Sequence, residues 1–273
     1  MVYHLSLSDY FLFTQHSLST FEQCPLKFKK RYIENLKWDS FPDLKSKRQL
    51  DLGRKFHMMA YRYFLGLDVG HDDDCEEVLS WLEILKSQFK LEKGKLYLPE
   101  HKLRMSSDML RLEANCDLLE LSEDGGITIW DWKTHPGNSA KNTAVLSNQL
   151  ADSLQTTVYM YVAKEQSHLI CGKDVDYSQI RMRYWQPYSP NIVAEVSYDQ
   201  EKHLAFGETL SSKIQNILEY DYSSLNNGHT TNHCKRCEFN WFCNNGRVDF
   251  SQVSGEDAEV ALDFDWNDVG EMF

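Results

Sequence analysis

The residues Glu123-Asp124-Gly125-Gly126 carry the chemistry of a hairpin turn, and two runs of strand-forming residues, 109–121 and 127–134, flank them. A hairpin in mid-chain commits the fold to a sheet, and a sheet must be covered. Helical patterns on either side supply the cover. Residues 17–34 place Leu18, Phe21, Phe28 and Tyr32 at apolar positions, with Ser17 or Ser19 as cap and Pro25 as a start or kink. Residues 45–65 bring Leu52, Phe56, Met59, Tyr63 and Phe64 near one stripe, and a third helix spans roughly 75–90. Beyond the hairpin, 147–165 reads as helix, 178–187 and 192–198 as strands around Tyr188-Ser189-Pro190-Asn191, and 199–220 as helix. Helices, hairpin, helix and strands predict a mixed α/β layer.

A chain of 273 residues, 42% hydrophobic and 13% aromatic, can bury a real core. We expect one domain over 1–249 and an acidic, flexible tail over 250–273. No apolar run approaches the roughly 20 residues needed to span a membrane, and the N-terminus lacks signal-peptide character. These features predict a soluble, cytoplasmic protein with no membrane partner. The net charge of −12 speaks against a nucleic-acid partner until its distribution is considered. Residues 251–273 hold seven acids and no base, whereas 24–62 hold eleven Lys and Arg against four acids. Such a basic stretch reads as a phosphate-binding surface or as an ordinary solvated helix face. The tail, which mixes acids with Phe264, Trp266 and Phe273, reads as a solubilising segment or as one that occupies a basic groove.

The strand after the turn ends in Asp131-Trp132-Lys133-Thr134. Alternation puts Ile127, Ile129, Asp131 and Lys133 on one face. A carboxylate and an amine finishing an apolar face are costly to bury unless they serve each other or a ligand. The preceding strand carries Glu113 and Asp117 on one face by the same parity, and the hairpin brings Asp117 toward Asp131. Two carboxylates brought together repel unless a cation lies between them. Oxygen-rich sites of this kind suit Mg²⁺ or Mn²⁺. Asp-x-Lys alone also occurs as a surface salt bridge.

The run Asp117 … Asp131-Trp132-Lys133-Thr134 resembles motifs II and III of the PD-(D/E)XK nucleases, and of their RecB-like branch in particular. Gly53-Arg54-Lys55-Phe56-His57 is similar to the Gly-x-x-x-His of motif I. Gln155-Thr156-Thr157-Val158-Tyr159 matches the Gln-x-x-x-Tyr of the following helix, whose two named residues share one helical face. The resemblance implies the superfamily's α/β core, a small mixed sheet flanked by helices, with helical N- and C-terminal elaborations. It implies that His57, Asp117, Asp131 and the Trp132 carbonyl hold Mg²⁺ or Mn²⁺, that Lys133 positions the nucleophile, and that Gln155 and Tyr159 contact the strand or brace the site. Glu113 is expected as a possible additional acid.

The chain has seven cysteines, and Cys234, Cys237 and Cys243 form Cys-x₂-Cys-x₅-Cys. Three thiolates so close together serve a soft metal centre, and a fourth ligand must come from elsewhere. Cys24, within Gln23-Cys24-Pro25-Leu26, is our candidate. The arrangement resembles the iron–sulfur subgroup of the same nucleases, of the AddB and CRISPR adaptation type, in which one cysteine before the nuclease motifs and three after them bind [4Fe–4S]. Zn²⁺ also accepts four thiolates, so the ligand stays open between the two. Cys116 is expected in the core; Cys75 and Cys171 show no ligand spacing.

Together these readings predict a metal-dependent deoxyribonuclease, an exonuclease on single-stranded DNA ends, in repair, recombination or defence, including CRISPR adaptation. The alternative is a catalytically silent iron–sulfur DNA-binding subunit of a larger complex. No helicase P-loop is present in the sequence, so any unwinding falls to a partner chain.

Overall fold

A computed structural model describes residues 7, 10–36, 44–70, 76–107, 110–134, 143–223, 225 and 233–248. Cys75 and the expected tail, 250–273, lie outside the described residues.

The sheet has five strands in spatial order β1 (Leu96–Ser107), β2 (Leu110–Leu121), β3 (Ile127–Trp132), β4 (Ile180–Trp185) and β5 (Ala194–Ser197). Neighbours are antiparallel except β3 and β4, which run parallel. That parallel pair needs a crossover. It is made by α5 (Thr143–Ala151), α6 (Leu154–Glu165) and α7 (Ser167–Cys171). The expected single helix over 147–165 is therefore two helices, separated where Ser153 caps α6 by accepting from the Thr156 N–H.

The turn between β2 and β3 closes as expected. Gly125 takes φ 91°, and Asp124 Oδ1 accepts the Gly126 N–H at 3.1 Å. Alternation along β3 then sorts side chains into two cores. Ile127 and Ile129 join a cluster with Val158, Met160 and Val162 of α6 and with Leu210, Ile214 and Ile217 of α8 (Gln200–Glu219). Trp130 and Trp132 point to the opposite face. There they meet Phe56 and Phe64 of α3 (Leu44–Phe64) and Val78, Trp81, Leu82 and Leu85 of α4 (Glu76–Gln88). The mixed sheet is flanked by helices on both faces.

The N-terminal helical stretch is broken into pieces. α1 (Gln15–Gln23) is capped by Thr14 in a reciprocal pair with Ser17, not by Ser17 or Ser19 as cap residues. α2 (Pro25–Phe28) begins at the proline, with Cys24 as its N-cap, and a π-helical turn over Lys29–Ile33 follows. At the other end, α9 (Asn240–Asn244) closes the cysteine module. Ion pairs join the two ends: Glu238 binds Arg31 and lies 3.6 Å from Lys27, which is buried. Part of the positive charge counted over 24–62 is thus spent inside the protein.

β1 is an element the sequence reading left unassigned. It lies at the sheet edge, where Pro99 is tolerated. Its alternation breaks midway, because Leu98 and the odd-numbered Leu103 and Met105 all contact the same core. β2 breaks in step: Leu112, Ala114 and Cys116 face that core, Leu118 faces the other, and Leu119 and Leu121 return. Glu100 and Asp117 lie at this break, between the pairs Pro99↔Leu118 and His101↔Cys116, and Glu100 has φ 49°.

Candidate active site

The break in the pleat gathers the first group of functional side chains. His57, on α3, points its Nδ1 at Asp117 Oδ1 (3.3 Å) and at Glu100 Oε1 (3.7 Å). Ligand-capable atoms of His57, Glu100 and Asp117 all lie within 4.8 Å of one another. The other oxygen of Asp117 accepts the Trp132 backbone N–H at 2.6 Å, which fixes the carboxylate's orientation from β3. Burial works against a charge on His57, but Asp117 and Glu100 outweigh it and raise the imidazole pKa well above its usual value. An imidazolium between two carboxylates offsets part of their charge where no metal is bound.

The second group adjoins it. Asp131, 5% exposed, accepts the Gln155 amide N–H on Oδ1 and lies 2.9 Å from Lys133 Nζ through Oδ2. The Gln155 carbonyl accepts from Lys133 Nζ, also at 2.9 Å. One amide therefore grips both the acid and the amine of the Asp-x-Lys pair. Tyr159, one turn along α6, is hydrogen-bonded to Gln155, and burial with the nearby Asp131 pushes its hydroxyl pKa up. Lys133 Nζ also stands 5.6 Å above the Tyr184 ring. The thiol of Cys116, wholly buried beside these acids, is driven up in pKa by burial first and then by Asp117, Asp131 and Glu100. It stays a protonated core residue.

The structure thus brings His57 to Asp117, and Asp131 to Lys133, Gln155 and Tyr159. It does not bring Glu113 to either group. Glu113 is engaged by Arg104 across the β1–β2 ladder at 2.6 Å, and the alternation that linked it to Asp117 is interrupted between Cys116 and Leu118. The acid that completes the trio is Glu100, which the sequence reading missed. Its signal was the alternation of Leu103 and Met105 with polar neighbours, which marks β1 as the partner of β2 and sets Glu100 level with Asp117.

The donor set fits a divalent cation. Two carboxylates and an imidazole converge, Asp131 precedes the Trp132 whose N–H Asp117 accepts, and hard oxygen donors with one nitrogen suit Mg²⁺ or Mn²⁺. The buried His57 Nε2 has no hydrogen-bond partner. The sole group of three or more His, Cys, Asp and Glu side chains this close, among the described residues, is His57, Glu100 and Asp117.

The four cysteines singled out by spacing line one cavity of about 160 Å³, together with Lys27, His233 and Phe239. Cys24 comes from the α1–α2 junction. Cys234 and Cys237 come from a 3₁₀ turn and its end, and Cys243 from α9. None is in a disulfide. Burial raises the pKa of Cys237 to about 12 and that of Cys243 upward, and Cys24 adds to both.

No helix among the described residues is long and apolar enough to cross a membrane. No curated protein matches the chain. Among solved structures, one titled "Crystal structure of SSO0001" aligns over 87% of this chain and 87% of its own, at 12% identity and a TM-score of 0.38. A family profile described as the PD-(D/E)XK nuclease superfamily matches residues 12–114 and 84–244, a span that holds every residue of both groups above. The chain belongs to the PD-(D/E)XK nuclease superfamily, whose members are metal-dependent phosphodiester hydrolases.

Proposed function

We propose that this chain is a Mg²⁺- or Mn²⁺-dependent deoxyribonuclease of the RecB-like, iron–sulfur type, acting as an exonuclease on single-stranded DNA ends in repair, recombination or CRISPR adaptation. The observation that carries this reading is the His57–Glu100–Asp117 trio, tied through the Trp132 N–H on Asp117 to the strand end that holds the Asp131–Lys133–Gln155 network. His57, Asp117, Asp131 and the Trp132 carbonyl are the proposed ligands, with Glu100 beside them. A bound ion supplies Lewis acidity toward the phosphodiester and lowers the pKa of a water. Lys133 is the chain's own cation for this chemistry. Asp131 and Gln155 hold its ammonium in place, so it orients the attacking water or balances charge on the phosphate without first having to be ordered. Tyr159 braces Gln155 from the same helical face.

The iron–sulfur part of the proposal rests on the cavity ringed by Cys24, Cys234, Cys237 and Cys243. A single tetrahedral zinc ion needs sulfurs roughly 4 Å apart, given Zn–S bonds of about 2.3 Å. Among the described residues, no three of these sulfurs form a group within 4.8 Å. The iron–sulfur choice over zinc rests on the resemblance of the one-plus-three cysteine arrangement to the iron–sulfur subgroup.

The exonuclease reading is tested with Mn²⁺ on end-labelled linear single strands, single-stranded circles and duplexes. Degradation of the linear strand with the circle intact is expected. Cutting of the circle contradicts the end requirement, and preference for the duplex contradicts the single-strand assignment.

A further inference from the structure

α9 turns its first residue inward and its next two outward. Asn240 is 6% exposed, whereas Trp241 is 55% and Phe242 47% exposed. The inward residue holds the turn rigid: Asn240 Nδ2 donates to the Arg247 carbonyl at 2.9 Å, and its Oδ1 accepts from Asn244 Nδ2 at 3.1 Å. A side chain at Gly246 would strike Asn240, and Asn245 ends the helix in a left-handed conformation at φ 51°. Two adjacent large rings are thus displayed on a fixed short helix, and a ring already in place loses little entropy on binding.

Basic side chains outnumber acidic ones in the segments that carry and adjoin these rings. The cysteine module, 233–248, packs on 24–36 through the Lys27, Arg31 and Glu238 contacts and the shared cavity. The two segments hold seven Lys and Arg against two acids, Glu34 and Glu238, in a chain of net charge −12; Lys27 is buried, while Lys30, Lys235 and Arg247 reach solvent. Glu238 is engaged by Arg31. An apolar ring pair within a basic zone is what an unpaired polynucleotide strand needs: π faces for bases and cations for phosphates.

We infer that Trp241, with Phe242 beside it, forms a stacking platform for single-stranded DNA, with Lys30, Lys235 and Arg247 holding its phosphates. This rests on the nuclease reading above and adds a binding surface outside the metal and Lys133 groups. Base stacking on an aromatic side chain tolerates any sequence, which suits an enzyme that must accept any strand.

The test measures binding of a cleavage-resistant phosphorothioate oligo-dT to the full chain by fluorescence anisotropy, for wild type, Trp241→Ala, Phe242→Ala and Trp241→Phe. A duplex of equal length serves as comparator. Trp241→Ala is expected to lower oligo-dT affinity by on the order of tenfold or more, and to lower duplex affinity less. Trp241→Phe, which keeps a ring, is expected to recover most of the loss. Quenching of tryptophan fluorescence by oligo-dT is expected to shrink in Trp241→Ala. Wild-type affinity in both alanine variants overturns the platform while active cleavage leaves the nuclease reading intact. Unchanged oligo-dT affinity with a shift from dimer to monomer in Trp241→Ala gives the surface to a second copy and also overturns it. A wild type that neither binds nor cleaves any nucleic acid removes the nuclease reading itself, and the platform with it.

Discussion

Glu100 and Asp117 share the one level of the β1–β2 ladder that is unpaired, between Pro99↔Leu118 and His101↔Cys116, and Glu100 has its backbone in the left-handed region at φ 49°. Non-glycine residues avoid that region, and a residue in mid-strand has an extended alternative. Here the left-handed turn coincides with the inversion of side-chain alternation in both strands. Local strain buys the convergence of two carboxylates on His57, the kind of backbone cost that a packed core sustains at functional sites.

Glu100→Gly and Glu100→Ala separate the carboxylate from the backbone. Both are expected to weaken Mn²⁺ binding by roughly ten- to hundredfold, read by titration calorimetry or Mn²⁺ spin resonance in the absence of DNA. Glycine accepts the left-handed conformation freely, so Glu100→Gly is expected to be about 1 kcal/mol more stable than Glu100→Ala in denaturant titrations. Equal stabilities would contradict the strain.

The raised pKa of His57 makes metal binding compete with a proton. Burial disfavours the imidazolium, yet Asp117 and Glu100 prevail and keep it protonated above its usual range. A metal ligand must be neutral, so binding expels that proton. Below the raised pKa, Mn²⁺ affinity is expected to climb by up to about tenfold per pH unit, and to level off above it. His57→Gln, which carries no titrating ring, should show weaker binding with a flatter pH profile. A wild-type affinity independent of pH between about 5.5 and 7.5, about one unit either side of the ordinary histidine value, would refute the competition.

Much of this site was legible in the chain before folding was considered. The Glu123–Gly126 turn fixed the hairpin, and alternation along β3 correctly set Ile127, Ile129 and Asp131 on one face and the tryptophans on the other. Gln155 and Tyr159 met Asp131 because four-residue spacing on α6 is local geometry. The failures were non-local. Glu113 was tied to Asp117 by a parity that breaks between Cys116 and Leu118, and Glu100 was lost with β1, whose Leu103 and Met105 alternation was its one signal. β1 was missed because Pro99 and scattered charges mask an edge strand, and α5 and α6 were merged because an N-cap serine inside a helical pattern is a weak signal.

Gln155 grips Asp131 with its N–H and Lys133 with its carbonyl, so it acts through both. Gln155→Leu is expected to lower the cleavage rate by about ten- to hundredfold, with the far-ultraviolet dichroism spectrum unchanged. Most of the loss should appear in kcat, since the ammonium is misplaced while the strand still binds. A variant with wild-type kcat would remove the bridging role.

Cys24 and Cys234 are 210 residues apart in sequence and line the same cavity. A cluster bound there closes nearly the whole domain into a loop. Cys24→Ala and Cys237→Ala are expected to lose iron and visible absorbance and to lower stability by on the order of 3–5 kcal/mol, as for loss of a long-loop cross-link. Iron and sulfide analysis with thermal melting provides the check. A stoichiometric, colourless zinc protein would overturn the iron–sulfur assignment and leave the nuclease site untouched.

The central claim is that the Asp131–Lys133 pair and the His57–Glu100–Asp117 trio form one hydrolytic centre. The direct measurement is single-turnover cleavage of end-labelled single-stranded DNA by wild type, Lys133→Ala and Asp117→Ala, with Mn²⁺ and with excess chelator. The account predicts cleavage by wild type with Mn²⁺, none with chelator, and losses of at least about hundredfold in both variants despite intact folds. Undiminished cleavage by Lys133→Ala and Asp117→Ala would contradict it.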